Sequence, residues 1–342
     1  MSMNLKGFLV LVLTVVPACG SSSPNSSDGT SIELASGSPY GIAVDSTNVY
    51  WTNMAGGPAG SLATVMKVPL GGGPAIALAS SEGAWGIAVD ATSVYWTTGG
   101  NGTVMKLPLD GGTPVTLASG LNDPEDIVVD ATSAYWIDQG DFKVMKVPLG
   151  GGGDTPTTLA SDLETPNGIA VDSTSVYWTN GGYTNASGTV MKLPIDGGTA
   201  VTLAAGQNNP CAIAVDSTNV YWTNLGLGNG TTVGSGTVLK VSLDGGTAVT
   251  LASDQYGPRH MAVDSTSVYW TNSGDGFANG DAAVMKVPLG GGTPIILAST
   301  LYSALGPRES YGIAVDATSV YWSRDIQQGT VATGAVMKVT PK

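Results

Sequence analysis

The chain has 342 residues, including 49 glycines and 19 prolines, and only 11% of its residues are charged. Low charge with this much glycine fits neither a disordered chain nor a helical bundle, and it is typical of many short strands joined by tight turns. The net charge of −13 argues against a nucleic-acid partner, which needs a basic surface to neutralise phosphates. The two cysteines and single histidine exclude a disulfide framework and most histidine-rich metal chemistry.

The N-terminus has the pattern of an export signal. A short basic start precedes an apolar run, residues 7–16, that is too short to span a bilayer. The run ends in Val-Pro-Ala-Cys19, which resembles the lipobox of bacterial lipoprotein signal peptides. That resemblance implies that residues 1–18 are removed and that Cys19 is lipidated, and the Ser- and Gly-rich residues 19–31 then form a flexible tether. An ordinary secretory signal is the alternative.

Seven internal repeats occupy residues 32–342. Each repeat has an aspartate followed six residues later by a tryptophan, at Asp45/Trp51, Asp90/Trp96, Asp130/Trp136, Asp172/Trp178, Asp216/Trp222, Asp264/Trp270 and Asp316/Trp322. Four short β-branched or aromatic runs, bounded by turn residues, predict four strands per repeat. This period and strand number predict an all-β fold, a seven-bladed β-propeller with four antiparallel strands in each blade.

The two ends of the repeat region complete each other. Residues 32–36 match the fourth strand of a repeat that has no strand before it. The chain stops after residues 336–339, a third strand that lacks its fourth. We therefore expect the N-terminal strand to complete the last blade, which closes the ring and leaves no exposed edge.

The repeat unit, Gly-Ile-Ala-Val-Asp followed by Tyr-Trp-Thr-Asn, resembles the YWTD (LDL-receptor class B) repeat and related bacterial extracytoplasmic propellers. The resemblance covers about residues 32–339 and implies the propeller architecture. The receptor propellers have six blades, so their partner-binding surfaces cannot be carried over to seven. The final aspartate of the family motif is also replaced by asparagine in four repeats, at Asn53, Asn180, Asn224 and Asn272.

The repeats differ mainly on one predicted face. The small residues of Gly-Ile-Ala-Val indicate that this strand lies beside the channel and is the first of its blade. Because successive strands alternate in direction, the loops between second and third strands lie on the same face as the loops between blades. In the predicted mature chain, the aromatic residues outside the repeat pattern all fall there, at Tyr40, Trp85, Phe142, Tyr183, Tyr256, Phe277, Tyr302 and Tyr311. Aromatics on the loops of a rigid scaffold indicate binding. The alternative is that they plug the channel mouth.

The loop leading into each first strand supplies one ring position per blade. We expect ligand contacts from these positions, at Tyr40, Trp85, Glu125, Asp126, Asn167, Arg259, His260 and Tyr311. The third blade is acidic and also carries Asp123, Asp138 and Asp141, whereas the sixth and seventh blades opposite are basic and also carry Arg308 and Arg324. This charge separation suits a polar or zwitterionic ligand.

Two kinds of catalytic chemistry remain as alternatives. Glu125, Asp126 and Asp138 could supply oxygen ligands to Ca²⁺ or Mg²⁺, although no compact calcium-loop pattern is present and a solvated acidic patch is the favoured interpretation. Cys211 and His260 occupy neighbouring ring positions, where a thiolate–imidazole nucleophile is conceivable. They are one residue out of phase, however, and no third orienting group is evident.

The sequence therefore predicts a non-catalytic binding propeller, exported and held at a bacterial outer membrane or cell surface only by its lipid. Its expected partner is an extracytoplasmic protein, a glycan or a small polar ligand, with no cofactor, and we expect a monomer. The alternative is a metal-dependent lyase or hydrolase at the channel mouth, similar to streptogramin lyases or propeller lactonases. The lyases use several histidines, whereas this chain has one. A lactonase-like metal would have only Glu125, Asp126 and Asn167 as ring ligands.

Replacing Cys19 with serine tests the anchor, because a lipoprotein signal needs the thiol of that cysteine. We expect Cys19→Ser to move the protein from the membrane fraction to the soluble fraction in cell fractionation. The matched control is Cys211→Ser, which should stay with the membrane. Unchanged membrane partitioning of Cys19→Ser would contradict the predicted anchor.

Overall fold

The computed structural model describes residues 30–53, 63–81, 83–151, 155–182, 184, 186–226, 235–273, 282–300, 312–328, 331–340 and 342. These residues form 28 strands in seven four-stranded antiparallel sheets. Among them, no helix has the length and apolar character needed to cross a bilayer. The predicted signal peptide, Cys19 and most of the predicted tether lie outside the described residues.

Each sheet is a meander of four strands that runs outward from the centre. The innermost strands are β2 (Pro39–Val44), β6 (Ala84–Val89), β10 (Pro124–Val129), β14 (Pro166–Val171), β18 (Pro210–Val215), β22 (Pro258–Val263) and β26 (Ile313–Val315). The second strands are β3 (Asn48–Asn53), β7 (Ser93–Thr98), β11 (Ser133–Asp138), β15 (Ser175–Asn180), β19 (Asn219–Asn224), β23 (Ser267–Asn272) and β27 (Val320–Gln328).

The outer two positions of each sheet follow the same order. The third strands are β4 (Ala63–Pro69), β8 (Thr103–Pro108), β12 (Lys143–Pro148), β16 (Gly188–Pro194), β20 (Gly236–Ser242), β24 (Ala282–Pro288) and β28 (Val331–Val339). The outermost strands are β5 (Ile76–Ser81), β9 (Val115–Ser119), β13 (Thr157–Ala160), β17 (Val201–Gln207), β21 (Val249–Gln255), β25 (Ile295–Thr300) and, in the last sheet, β1 (Ser31–Gly37).

The seven sheets form a closed ring. Each innermost strand contacts the innermost strands of its two neighbours, and β26 contacts β2 to complete the circle. In the last sheet β1 pairs with β28, with Ser31 opposite Val339 and Gly37 opposite Gly334. The predicted seven-bladed propeller and its closure by the N-terminal strand are therefore both confirmed.

Aromatic residues of the repeat fill the space between blades. All seven repeat tryptophans are at most 2% exposed. Each apolar cluster spans two blades, as where Tyr95 of the second blade shares a cluster with Ile127 and Trp136 of the third. Because large aromatic side chains bury the most apolar area, this packing explains why Tyr-Trp recurs in every repeat.

The repeat aspartates shape the turn between first and second strands. In the first blade, Asp45 Oδ1 accepts hydrogen bonds from the backbone N–H groups of Thr47 (2.6 Å) and Asn48 (2.7 Å). Its Oδ2 accepts the Tyr50 hydroxyl at 2.8 Å. The same contacts recur in the other six blades. The aspartates therefore close turns, and their recurrence has a structural cause.

A buried threonine links neighbouring blades beside the channel. Thr179 Oγ1 accepts a hydrogen bond from Gly168 N (3.0 Å) and donates one to the Cys211 carbonyl of the next blade (2.6 Å). We call this arrangement the threonine bridge. It also occurs at Thr52, Thr97 and Thr223.

The repeat lysines make a second contact from blade to blade. Lys67 Nζ donates a hydrogen bond to the Leu109 carbonyl at 3.1 Å. The same contact is made by Lys106, Lys146, Lys192, Lys240 and Lys338. Both ends of a blade interface are thus joined by polar contacts, one near the channel and one farther out.

Removing one threonine bridge should destabilise the ring. Thr179→Val leaves the Gly168 N–H and the Cys211 carbonyl without their buried partner, and we expect a loss of about 1–3 kcal/mol in the free energy of unfolding. Thr179→Ser keeps the hydroxyl and is the matched control. Chemical denaturation measures both, and equal stability of the valine and serine variants would contradict the bridge.

Candidate functional site

The channel at the centre of the ring contains a cavity of about 710 Å³. Its lining includes Tyr40, Trp85, Glu125, Asp126, Asn167, Cys211, Arg259 and His260. The structure thus brings together every predicted ligand-binding residue except Tyr311, which lies outside the described residues. That these residues bind a ligand remains a prediction.

A repeated irregularity of the innermost strand turns two residues per blade toward this cavity. In the third blade the pairing changes from Pro124 with Asp138 to Ile127 with Trp136, so β10 has one more residue than β11 over the same stretch. The first, second, fourth, fifth and sixth blades show the same shift. A β-bulge of this kind redirects side chains, and Glu125 and Asp126 are the two redirected residues here. We call the two places the first and second bulge positions.

The second bulge position is crowded by the next blade. A Cβ atom on Gly86 would lie 2.3 Å from the Glu125 carbonyl oxygen, and one on Gly168 would lie 2.6 Å from that of Cys211. These distances are too short for an unshifted side chain, so close approach of the strands favours glycine. Glycine occurs in four blades, at Gly41, Gly86, Gly168 and Gly312, whereas the others carry Asp126, Ala212 and His260.

The third blade departs from the pattern at two linked positions. Ile137 replaces the threonine that forms the bridge in other blades, and Asp126 replaces the glycine at the crowded second bulge position. Asp126 Oδ2 accepts a hydrogen bond from the Ile169 N–H of the fourth blade at 3.1 Å. The aspartate therefore supplies a polar link to the next blade where the threonine hydroxyl is missing.

Burial changes the acidity of both carboxyls in the channel. Burial raises the pKa of Glu125 to about 7, with the negative charges of Asp123 and Asp126 adding to the effect. Burial also raises the pKa of Asp126 to about 6, although the N–H groups of Ile169 and Ile127 favour its ionised form. The acidic side of the cavity is therefore partly protonated near neutral pH.

The opposite side of the cavity carries the basic residues Arg259 and His260 from β22, with Cys211 beside them on β18. Burial raises the pKa of the Cys211 thiol to about 11; the Arg259 charge lowers it, and the charges of Asp126 and Glu125 raise it. A thiol with this pKa is protonated at neutral pH and is a poor nucleophile. The raised pKa of Cys211 therefore argues against a Cys211–His260 nucleophile.

Two aromatic rings meet at right angles on the wall of the cavity. The ring centroids of Tyr40 and Trp85 are 4.9 Å apart, and their planes make an angle of 88°. Both side chains line the cavity and are half-buried. The indole lies directly against Gly99, where an added Cβ would come within 2.3 Å of Trp85 Nε1. We call this pair the aromatic corner.

Several other predicted residues lie away from the cavity. Asp138, proposed as a metal ligand with Glu125 and Asp126, is absent from the cavity lining. It is 3% exposed, its Oδ1 accepts the Asn122 N–H at 3.0 Å, and burial raises its pKa to about 6. Arg324 forms an ion pair with Glu33, in which a guanidinium nitrogen lies 3.5 Å from a carboxylate oxygen. Four more residues that the sequence analysis singled out lie outside the described part of the chain, at Tyr183, Phe277, Tyr302 and Arg308.

The predicted metal ligands do not form one cluster in the part of the chain that the structure describes. No group of three or more His, Cys, Asp and Glu side chains there is arranged to hold a metal ion. Asn167, the further ring ligand of a lactonase-like site, donates its Nδ2 to the Pro210 carbonyl at 2.9 Å. Metal binding by Glu125, Asp126 and Asp138 remains an untested prediction.

Comparison with solved structures supports a β-propeller fold. A nidogen–laminin complex contains a chain that is 19% identical, with a TM-score of 0.53 over 75% of this chain and 99% of that one. A putative TolB from Agrobacterium tumefaciens is 16% identical, with a TM-score of 0.51 over 68% and 86% of the two chains. The computationally designed Ika8 protein is 14% identical, with a TM-score of 0.56 over 90% and 99%.

At such low sequence identities, structural similarity supports the fold alone. No protein-family model matches the chain, and no match is found among the curated proteins. The fold and its cavity therefore define the class of protein: a seven-bladed β-propeller whose uniform repeats surround a chemically asymmetric channel.

The buried acids predict how stability depends on pH. The folded-state pKa of Glu125 is raised above its unfolded value of 4.5, so its contribution is fully present below about pH 4.5 and is lost as pH rises through about 7. We expect the melting temperature to fall between pH 5 and pH 8. Glu125→Gln should flatten this dependence and stabilise the protein at pH 8 by about 1–2 kcal/mol, since water in the channel moderates the effect.

The control for this experiment is Asp110→Asn, at an exposed turn carboxylate. Thermal unfolding followed by circular dichroism at several pH values measures all three proteins. The explanation fails if Glu125→Gln and Asp110→Asn have the same pH profile.

Proposed function

We propose that the protein is a non-catalytic binding propeller that takes a small polar ligand, or a polar group of a larger partner, at the mouth of its channel. One observation carries the proposal. Repeats that are otherwise nearly uniform carry different residues at the first bulge position, and these residues converge on one cavity.

The chemistry of the cavity fits recognition better than packing. A channel that only had to be filled would be served by the same residue in every blade. Instead the described lining has aromatic rings in the first and second blades, carboxyls in the third and cationic or titratable groups in the sixth. A concave site with a few polar groups converging from different elements is the usual form of a small-molecule site. Burying Glu125 with a raised pKa also opposes folding at neutral pH, so stability does not account for this residue.

We further propose that the propeller is exported and tethered to a membrane through Cys19. This proposal rests on the N-terminal sequence. Strand β1 begins at Ser31 on the outermost position of its blade, so the proposed tether would leave the propeller from its rim. Twelve residues between the lipid and Ser31 reach at most about 40 Å. The start of β1 would therefore stay within about that distance of the membrane surface.

A ligand screen of the Cys19→Ser protein tests the binding function. Thermal-shift measurements would compare amino acids, sugars, polyols, cell-wall fragments and divalent cations. A ligand present at 100 times its Kd adds about 2.7 kcal/mol of stability. We expect a ligand whose affinity falls about tenfold or more in Trp85→Ala and in Glu125→Lys, corresponding to about 1.4 kcal/mol.

The matched control is Phe142→Ala, which removes an aromatic ring that is 40% exposed and outside the cavity lining. It should leave the affinity unchanged. Two results would contradict the proposal: ligand binding that survives both channel variants, or turnover of the ligand that depends on Ca²⁺ or Mg²⁺. The second result would support the lyase or hydrolase alternative.

A further inference from the structure

We infer that the channel selects an organic ammonium ion, held between the aromatic corner and the Glu125 carboxylate, with any anionic group of the same molecule directed toward Arg259. This inference rests on the proposed function and specifies the ligand class for the same site. A zwitterion with an alkylated or quaternary ammonium group matches this description.

The aromatic corner provides the first requirement of such a site. The faces of Trp and Tyr rings carry negative partial charge and attract a cation within about 6 Å of the ring centre. Because the planes of Tyr40 and Trp85 are 88° apart with centroids 4.9 Å apart, the edge of one ring meets the face of the other, and a rounded cation in the angle between the two planes would lie beside a face of each ring. A flat or strongly hydrated ion gains less from this shape.

The corner is flanked by negative charge. Glu125 follows Trp85 around the ring, and a Cβ atom on Gly86, next to Trp85, would lie only 2.3 Å from the Glu125 carbonyl oxygen. A Cβ on Gly99 would lie 2.3 Å from Trp85 Nε1 and 3.0 Å from Asp123 Oδ1, so a second carboxylate lies near the indole edge. A cation at the corner would therefore be attracted by the rings, by the nearby Asp123 carboxylate and by Glu125, which lines the same cavity at the next ring position.

The Glu125 carboxyl is not committed to a protein partner in the described part of the chain. The ion pairs found there involve other residues, and burial and the like charges of Asp123 and Asp126 alone set its acidity. A ligand cation would offset that repulsion. Asp126 differs, because its Oδ2 accepts the Ile169 N–H.

The basic side of the cavity makes the site dipolar. Arg259 and His260 lie in the sixth blade, three blades from Glu125 in a ring of seven, so they face it across the channel. A cavity of about 710 Å³ accommodates a small zwitterion and lies within the usual range for small-molecule sites. Like charges would meet if the ligand entered in the reverse orientation, so the electrostatic field favours one orientation.

Calorimetric titration of the Cys19→Ser protein with three matched probes tests the inference. Choline is a quaternary ammonium ion, 3,3-dimethylbutan-1-ol is its uncharged isostere, and glycine betaine adds a carboxylate. We expect choline to bind about tenfold or more tightly than the uncharged alcohol. Glycine betaine should bind at least as well as choline in the unmodified protein, and Arg259→Gln should weaken betaine relative to choline.

Variants of the corner separate ligand contact from general damage. Trp85→Ala should lower choline affinity about tenfold, and Trp85→Phe should recover part of it. Gly99→Ala should also weaken choline, because its methyl group displaces the Trp85 indole. The matched control is Gly71→Ala, where an added Cβ meets no atom within 4 Å. Melting temperatures of all variants are measured first, so that affinity is compared only among folded proteins.

Proton release provides an independent readout. A cation beside Glu125 stabilises its ionised form, so binding at pH 6.5 should release a proton and strengthen as pH rises to 8. The other titratable or charged groups around Glu125 are Tyr40, Asp123, Asp126, Cys211, Arg259 and His260. Titration in buffers of different ionisation enthalpy measures the released proton, and Glu125→Gln should abolish the part that depends on Glu125.

The outcomes distinguish failure of this inference from failure of the proposed function. Equal affinity for choline and 3,3-dimethylbutan-1-ol, no binding of either cationic probe, or unchanged choline affinity in Trp85→Ala would each overturn the ammonium inference. If another compound from the ligand screen still binds and is lost in Trp85→Ala, the proposed binding function stands with a different ligand class. If no compound responds to either channel variant, both proposals fail.

Discussion

The close approach of neighbouring innermost strands around the channel is the constraint on which the rest of the structure depends. At Gly86 the space for a side chain is already occupied by the Glu125 carbonyl of the next blade. The threonine bridge uses this proximity, since one hydroxyl such as that of Thr179 can reach backbone groups in two blades. The second bulge position and the bridge are thereby restricted, whereas the side chains at the first bulge position line the channel cavity and differ from blade to blade.

The asymmetry of the channel follows from where that restriction is relaxed. In the third blade Asp126 replaces the crowded glycine, Ile137 replaces the bridging threonine, and the Asp126 carboxylate makes the contact with Ile169 that keeps the blades joined. The cost is a buried acid whose pKa is raised to about 6, next to Glu125 at about 7. Ligand sites commonly hold groups that are unfavourable for the isolated fold. On this account Glu125 of the third blade serves recognition at some cost to stability.

Much of the architecture could be predicted from sequence because each repeat contains its own turn and packing signals. Asp45 predicts a tight turn, Trp51 predicts a filled blade interface, and the unpaired fourth strand at Ser31 predicts closure of the ring. The ring order of Glu125 and Arg259 also followed from counting blades. The bulge that turns both Glu125 and Asp126 inward could not be predicted, because register irregularities depend on pairing across strands. For the same reason the sequence did not separate Asp138, which turns away toward Asn122, from the channel carboxyls.

The most direct test of the channel as a binding site uses the distribution of the eight tryptophans. Seven are at most 2% exposed between blades, whereas Trp85 lines the cavity. Incorporating 5-fluorotryptophan gives one fluorine NMR signal for each position, and Trp85→Phe identifies the channel signal. The account predicts that a ligand found by screening shifts the Trp85 signal and leaves the seven buried signals nearly unchanged. A bound ligand that leaves Trp85 unshifted while moving one of the others would contradict it.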